Sequence, residues 1–202
     1  MRVGVLASGA GTNLQAILDT VHGHEGVAVV AVGSDKPDAL ALERARGAGV
    51  ETAAFLRGEY AERPERDAAM AAWLAERGVE LVVLAGYMQL LSPAFLGRFP
   101  QRVINVHPAL LPAFTGIGAI EQALAYGVKV FGVTVHFVDE GVDTGPIVLQ
   151  RAVDLPAAVD AAEVRSALRP IEHELLCETV RLIARDAVRI DPANPRRVLI
   201  AS

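Results

Sequence analysis

The chain has 202 residues, 52% of them hydrophobic and 21% charged, and its formal net charge is −5. This composition is typical of one compact globular domain, and the acidic balance argues against a broad basic surface that holds nucleic acid. No apolar run reaches the length of a membrane span. A single cysteine, Cys177, excludes an intramolecular disulfide, so we expect a cytoplasmic protein with a buried thiol.

In the first half of the chain, short β-branched runs alternate with alanine- and leucine-rich segments of helical period. Strands are predicted at 3–7, 27–32, 51–54, 81–85 and 103–106. Helices are predicted at 13–21, 39–48, 65–77 and 93–99. The alternation indicates an α/β fold with a doubly wound, mostly parallel sheet flanked by helices.

The pattern changes after Pro112. A helix at 119–126 precedes two strands, at 130–138 and 147–150, that are joined by an acidic loop. A long helix is predicted at 161–185, with a break or kink near Pro170 because proline lacks a backbone N–H. Segments 188–190 and 197–200 are predicted to form a final strand pair.

A glycine-rich turn, Ser8-Gly9-Ala10-Gly11-Thr12-Asn13, follows the first predicted strand and opens the first predicted helix. Backbone N–H groups and the dipole at a helix N-terminus favour a phosphate, and glycines let the backbone approach it. A dinucleotide site is a competing interpretation, in which Asp35 has the spacing of a ribose ligand but Leu14 replaces the third glycine. A tight turn that only caps the helix is another.

Polar side chains also stand at the ends of two later strands. Asn105 and His107 alternate onto one face of the strand before Pro108, and Asp143 lies in the acidic loop. An amide, an imidazole and a carboxylate supply a fixed donor, a tunable acid or base and a charge that holds the imidazole, which suits acyl transfer. The alternative for Asp143 is a loop carboxylate that only holds its turn.

The remaining histidines of interest, His22, His24 and His136, are interpreted as packed or solvent-facing residues. The acidic residues do not follow the alternation of an EF-hand, and the histidines and Cys177 do not have a zinc spacing. We therefore expect no metal.

Together these motifs resemble the phosphoribosylglycinamide formyltransferase family, and the resemblance runs nearly from end to end. It rests on the turn at 8–13, Leu84-Ala85-Gly86-Tyr87-Met88, Leu91-Ser92-Pro93, Asn105-Val106-His107-Pro108-Ala109-Leu110-Leu111-Pro112, the loop at 139–146, and Glu172-His173. It implies a Rossmann-like formyltransferase fold and transfer of the formyl group of 10-formyltetrahydrofolate, a co-substrate, to the amine of 5'-phosphoribosylglycinamide in de novo purine (IMP) biosynthesis. It further implies a single domain over 1–202, with a phosphate-binding half at 1–100 and a catalytic and folate-binding half at 101–202.

The resemblance also implies roles for individual residues. It assigns catalysis to Asn105, His107 and Asp143. The residues implied to bind phosphoribosylglycinamide are Gly11, Thr12, Asn13 and Glu172. Those implied to bind the folate are Arg63, Met88, Gln89, Leu90, Leu91, Asn105, Asp139, Glu140, Gly141, Val142 and Asp143, with Arg66 as a second candidate for the contact of Arg63.

Two departures from the family pattern stand close to these residues. Thr115 and Gly118 replace the usual proline and histidine, so an altered rate or loop order is expected. Pro170, just before Glu172, is expected to reshape that edge of the substrate site.

The hypothesis for the mechanism is direct attack by the substrate amine on the formyl carbon through a tetrahedral oxyanion. Asn105 donates to that oxygen, His107 stabilises it and serves in proton transfer, and Asp143 favours the protonated imidazole. Small molecules are the expected partners, without nucleic acid or membrane, and the protein is expected to be a monomer or a homodimer.

Other functions are weighed against this one. A formyl-folate hydrolase or a tRNA formyltransferase normally carries a further domain, and the acidic balance also disfavours tRNA. A non-catalytic nucleotide-binding module is the alternative from a different class, and an assay of formyl transfer separates it.

Overall fold

The computed structural model describes residues 1–201, which cluster into two compact units. The first unit is Met1–Asn105 and the second begins at Val106. Within residues 1–201, no helix is both long enough and apolar enough to cross a membrane.

The first unit is a parallel sheet with connecting helices. Its strands are β1 (Arg2–Leu6), β2 (Ala28–Ser34), β3 (Glu51–Ala54), β4 (Leu81–Leu84) and β5 (Val103–His107), the last of which runs into the second unit. Its helices are α1 (Thr12–Thr20), α2 (Leu40–Gly47), α3 (Arg63–Glu76) and α4 (Pro93–Arg98). Fully buried β-branched and leucine side chains of the central strands form the core, among them Val3, Val5, Leu81, Val82, Val83 and Ile104.

Strand order in the first unit is β3-β2-β1-β4-β5, with parallel pairing throughout. The chain moves from β1 to β2 and β3 on one side, and then returns to β4 and β5 on the other. In open α/β sheets, ligands bind outside the carboxyl ends of the strands where the order reverses. The loops after β1 and β4 stand at that reversal.

The second unit is built on antiparallel pairs. It contains α5 (Ala119–Tyr126), β6 (Val130–Phe137), β7 (Ile147–Asp154), α6 (Ala161–Ala184), β8 (Val188–Asp191) and β9 (Asn194–Ile200). Strands β6 and β7 pair antiparallel, β7 pairs with β9 in parallel, and β8 and β9 form an antiparallel hairpin. The predicted α/β class and the final strand pair are confirmed.

Two predictions for the second unit need correction. Strand β7 continues to Asp154, beyond the predicted end at 150, because its exposed polar residues still pair with β6 in the register Val130↔Asp154. Helix α6 is continuous through Pro170, so the chain does not break there, and the kink predicted as the alternative stays a prediction. Burial of Val164 and Leu168 before the proline, and of Leu175 after it, outweighs a proline cost of about 3 kcal/mol.

Candidate functional site

The turn after β1 depends on Gly11. This residue is the N-cap of α1 in the left-handed conformation, with φ 69°, and a Cβ built on it lies 2.7 Å from the Cα of Ala41. A side chain there is therefore opposed by both the backbone conformation and the close approach of α2. The sequence places glycine where the chain has no room for another residue.

Helix α2 also fixes the carbonyl groups of this turn. The Ala41 N–H donates to the Gly9 carbonyl at 3.1 Å, and Arg44 Nε donates to the Ala10 carbonyl at 2.8 Å. With its carbonyls held from that side, the turn presents the N-terminus of α1, where Thr12 is half-buried and Asn13 is buried. A helix N-terminus, with the helix dipole behind its backbone N–H groups, suits an anion.

The loop after β4 is tied to the turn after β1 through Ser8. Ser8 Oγ accepts from the Met88 N–H at 2.9 Å, and the Ser8 N–H donates to the Gly86 carbonyl at 3.1 Å. Gln89 Nε2 donates to Asp35 Oδ2 at 3.1 Å, so Asp35, at the end of β2, holds this loop in the structure.

Two large apolar side chains of this loop lie in solvent. Met88 is 63% exposed and Leu90 is 55% exposed, although hydrogen bonds to Ser8 and Asp35 hold the loop that carries them. Exposed apolar side chains on a fixed backbone suit the face of a flat heteroaromatic ring, and peptide groups beside them can pair with its polar edge. This observation fits the predicted folate contacts of residues 88–91.

The structure distinguishes the two candidate arginines. Arg63 begins α3 and is exposed, whereas Arg66 is buried and its guanidinium is paired with Asp67 at 2.8 Å. A buried, paired guanidinium cannot receive the acidic tail of a ligand, so only Arg63 is available for that contact. Arg66, Met70 and Leu74 follow one another at intervals of four residues, so they share one face of the helix. This spacing is a sequence signal that Arg66 lies on the buried face.

Strand β5 carries Asn105, half-buried, and ends at His107, which is buried. The segment that follows His107 is held by Thr134 of β6. Thr134 Oγ1 accepts from the Leu111 N–H at 3.1 Å and donates to the Ala109 carbonyl at 2.7 Å. These two hydrogen bonds fix the chain directly after the imidazole.

Both ring nitrogens of His107 face oxygen acceptors. Nε2 donates to the Phe114 carbonyl at 2.8 Å, and Nδ1 lies 3.3 Å from Asp143 Oδ2. A neutral imidazole carries one N–H, so only the protonated ring can donate to both partners. The geometry thus places the His107 ring between two oxygen acceptors.

Asp143 is a partly buried carboxylate in a left-handed backbone conformation, with φ 53°. Burial works to raise its pKa, but the hydrogen bond from His136, the Gly116 N–H at 2.8 Å and the charges of His107 and His136 outweigh burial and lower the pKa to about 2. Asp143 is therefore ionised at neutral pH, and its charge is available to hold the imidazole.

His136 is a member of this cluster that the sequence did not identify. Its Nε2 lies 3.5 Å from Asp143 Oδ1, and its Nδ1 donates to the Phe137 carbonyl at 2.8 Å. The residue is packed, as predicted, but it packs against the carboxylate. Strand β6 is buried from Phe131 to Phe137, so no alternation of polar and apolar residues marks this histidine in the sequence.

His22 is a half-buried, packed residue, which is one of the two interpretations that the sequence allows for it. Its Nδ1 accepts from the Val29 N–H at 3.0 Å, which ties the end of the α1 segment to β2. His24 is exposed.

In the acidic loop, Asp139 holds the turn. Its Oδ1 accepts from Thr144 Oγ1 at 2.6 Å and from the Gly141 N–H at 3.1 Å. A Cβ at Gly145 lies 1.8 Å from the Phe137 carbonyl oxygen, so glycine is required there. Asp139 thus has the role of a turn-holding carboxylate, while Glu140 and Val142 of the same loop are exposed.

Two residues that depart from the family pattern, Thr115 and Gly118, lie on either side of Gly116. Gly118 is the N-cap of α5 with φ 74°, a left-handed conformation that glycine adopts without strain. Thr115 is exposed, and the next residue, Gly116, supplies the N–H that Asp143 accepts. Glu172 is half-buried in α6. The adjacent His173 has a lowered pKa, mainly because it is partly buried and to a smaller extent because of the charge of Arg169.

Across residues 1–201, no group of three or more histidine, cysteine, aspartate or glutamate side chains is arranged to hold a metal ion. Cys177 is buried in α6, as expected.

Comparison with known proteins relates this arrangement to one family. A family model described as formyl transferase matches residues 1–180. The phosphoribosylglycinamide formyltransferase of Mycobacterium tuberculosis (strain CDC 1551 / Oshkosh) is 42% identical over 189 residues, which are 94% of this chain and 87% of that protein. The trifunctional purine biosynthetic protein adenosine-3 of Homo sapiens is 38% identical over 190 residues, which are 94% of this chain and 19% of that protein.

A solved structure shares the fold. The crystal structure of glycinamide ribonucleotide transformylase 1 from Symbiobacterium toebii matches with a TM-score of 0.95 and 47% sequence identity. The match covers 100% of this chain and 94% of that chain.

Proposed function

Because the chain belongs to the formyl transferase family, we infer that it transfers the formyl group of 10-formyltetrahydrofolate to the amine of 5'-phosphoribosylglycinamide in de novo purine biosynthesis. Relatives named phosphoribosylglycinamide formyltransferase match nearly the whole chain and support this activity. The observation in the molecule that carries it is the His107 ring, with one nitrogen on a backbone carbonyl and the other facing the ionised Asp143.

The acceptor substrate is bound through its phosphate in this proposal. The turn at Gly11, Thr12 and Asn13 places the N-terminus of α1 beside the phosphate. This arrangement suits a phosphate dianion better than it suits a dinucleotide. Asp35 Oδ2 accepts from Gln89 and Asp35 Oδ1 is buried, which argues against an exposed ribose-binding carboxylate there. Glu172 on α6 is assigned to the ribose or glycinamide part by family resemblance.

The donor folate supplies the formyl carbon that the acceptor amine attacks. We assign its pterin to the loop residues 88–91 and 139–143, where exposed Met88, Leu90 and Val142 offer apolar surface. Arg63, which is exposed at the start of α3, is assigned to the acidic tail.

Catalysis is assigned to three side chains. Asn105 donates to the formyl oxygen as that oxygen gains charge, an interaction whose loss typically costs about 3 to 4 kcal/mol of transition-state stabilisation. His107 in its protonated form stabilises the same charge and gives or accepts a proton. Asp143 holds the protonated imidazole by its charge and, through water, helps the proton move from the attacking amine to the leaving nitrogen.

One assay tests the activity. Purified protein is mixed with phosphoribosylglycinamide and a 10-formyl folate, and loss of the formyl group from the donor is followed with and without the amine substrate. Amine-dependent deformylation supports the transferase, deformylation without the amine indicates a hydrolase, and nucleotide binding with no deformylation indicates a non-catalytic module. We place the reaction in the cytoplasm, where free purine precursors are made, and expect a monomer or homodimer.

A double-mutant cycle tests whether Asn105 and His107 serve one transition state. Asn105→Ala and His107→Ala are each expected to lower kcat by about a hundredfold or more, and the double variant is expected to lose little beyond the worse single variant. Losses that multiply in the double variant contradict a shared transition state.

A further inference from the structure

The first unit contains a fully buried ion pair that the proposed chemistry does not use. The side chain of Arg66 is 2% exposed and that of Asp67 is 0% exposed. Arg66 Nε and Nη2 both donate to Asp67 Oδ1, at 3.1 and 2.8 Å. Neighbours on the same helical face, Met70 and Leu74, are apolar and buried, so an apolar residue at 66 suits this face equally well for packing alone.

The second oxygen of Asp67 leaves helix α3. Asp67 Oδ2 accepts from the Ser92 N–H at 2.7 Å, and Ser92 Oγ in turn accepts from the Phe95 N–H at the start of α4. The carboxylate therefore fixes the backbone at the end of the loop that follows β4. Three donors bind this carboxylate, two from Arg66 and one from Ser92, so it links the arginine to the loop.

The other end of the same loop lies in the field of Arg66. Burial works to lower the pKa of Arg66, but hydrogen bonds to Asp67 and the charges of Tyr87, Asp67 and Asp35 outweigh burial and raise it. Tyr87 is buried, with its hydroxyl 3.8 Å from Met70 Sδ, and Asp35 holds Gln89. The guanidinium is thus a fixed cation beneath a loop whose outward side chains, Met88 and Leu90, are exposed.

We propose that Arg66 and Asp67 are positioning residues that hold the backbone of residues 87–92 in the shape that receives the folate ring. The inference rests on the proposed function, since it takes the folate as the ligand of this loop. Neither residue touches the ligand. Together they fix peptide groups at a loop that three side chains, Ser8, Asp35 and Asp67, anchor at separate points.

A purely structural ion pair and a positioning pair differ in what they change. Loss of a structural pair lowers the melting temperature and the amount of active protein, while the KM for folate of the remaining protein stays the same. Loss of a positioning pair raises the KM for folate selectively, because the loop backbone relaxes while the phosphate turn does not.

The test uses Arg66→Lys, which keeps the charge but loses the planar fork, and the neutral pair Arg66→Met/Asp67→Asn, which leaves no uncompensated buried charge. Arg77→Met is the matched control, because Arg77 ends the same helix, stacks on Trp73 and pairs with Glu51, away from the loop. For each variant, kcat, the KM for 10-formyltetrahydrofolate, the KM for phosphoribosylglycinamide, the Kd for tetrahydrofolate and the melting temperature are measured.

We expect the KM and the Kd for folate to rise about tenfold in the neutral pair and less in Arg66→Lys, with the KM for phosphoribosylglycinamide within about twofold of the wild-type value. The control is expected to lose thermal stability without a change in the KM for folate. If the variants lose stability but keep the wild-type KM and Kd for folate, the positioning role is wrong while the formyl transfer activity stands. If the wild-type protein neither binds tetrahydrofolate nor transfers a formyl group, the proposed function itself fails and the inference with it.

Discussion

The turn after β1 and the cluster around Asp143 both follow the carboxyl end of a strand. The turn offers backbone groups, whereas the cluster offers titratable side chains. The turn contains no charged side chain and presents backbone N–H groups at a left-handed glycine. The cluster presents the carboxylate of Asp143, which faces two imidazoles and belongs to a residue with a left-handed backbone conformation. A dipole fixed in the backbone binds the same charge at every pH, whereas a titratable cluster can hold and release a proton. Binding and chemistry are therefore separable by mutation.

The largest expected effect removes the charge of the cluster. Asp143→Asn keeps the shape of the side chain but not the charge that faces His107, so kcat is expected to fall about a hundredfold to ten-thousandfold. The KM for phosphoribosylglycinamide is expected to change little, because the turn that is proposed to bind the phosphate is intact. Steady-state kinetics check this, and an unchanged kcat shows that the carboxylate has no catalytic role.

The converse change damages the turn. Gly11→Ala forces a side chain into a left-handed conformation, at a cost of about 1 to 2 kcal/mol, and against Ala41. We expect a lower melting temperature and a KM for phosphoribosylglycinamide raised about tenfold or more, with a smaller change in kcat. Gly23→Ala is the matched control, because Gly23 also has positive φ but has open space around its Cβ position. An equal rise in KM in both variants contradicts the special role of Gly11.

A third prediction concerns the acid sensitivity of the cluster. The pKa of Asp143 is lowered in the folded state from 3.8 to about 2, so the ionised carboxylate stabilises the fold above pH 3.8 and this contribution is lost as the pH falls toward 2. The difference corresponds to about 2 kcal/mol. Urea unfolding between pH 6 and pH 3 is expected to show a steeper loss of stability in the wild-type protein than in Asp143→Asn. Parallel curves for the two proteins refute the lowered pKa.

The smallest expected effect comes from His136. His136→Asn removes the hydrogen bond that contributes most to lowering the pKa of Asp143, so that pKa is expected to rise toward its ordinary value. The carboxylate still faces His107, and kcat at neutral pH is expected to fall less than tenfold. NMR titration of the Asp143 carboxyl carbon measures the shift, with His24→Asn as an exposed control. A pKa of Asp143 that stays near 2 in His136→Asn excludes this histidine as a cause.

Much of the fold follows from local sequence, and the particular residues explain why. Strand β3 and helix α5 have the predicted bounds, since turn residues and apolar periodicity define both ends. Strand β5 was predicted to end at 106 and ends at His107, before Pro108 turns the chain out of the sheet. The predicted catalytic side chains His107 and Asp143 do come into contact, while their roles in catalysis stay predictions.

The sequence-based predictions fail where contacts between residues distant in the chain override a local rule. Pro170 does not break α6, because apolar side chains on both sides of it are buried against the rest of the second unit. The exposed half of β7 was not predicted, because only pairing with β6 keeps that polar segment extended. His136 lies in a strand that is buried on both faces, where the periodicity that separates functional from packed residues is absent.

The sequence by itself determined the order of strands and helices along the chain and the glycine-rich turn. It also determined that Asn105 and His107 lie at the end of a strand and that Asp143 lies in a loop that follows one. These properties depend on residues close together in the chain: glycine conformations, proline restrictions and hydrophobic period. Only the tertiary structure decided that the buried Arg66 pairs with Asp67, that Asp139 holds the acidic turn, and that two histidines share one carboxylate. The reason is physical, since a charge is tuned by whatever lies within a few ångströms in space, and the neighbours that tune it are distant in sequence.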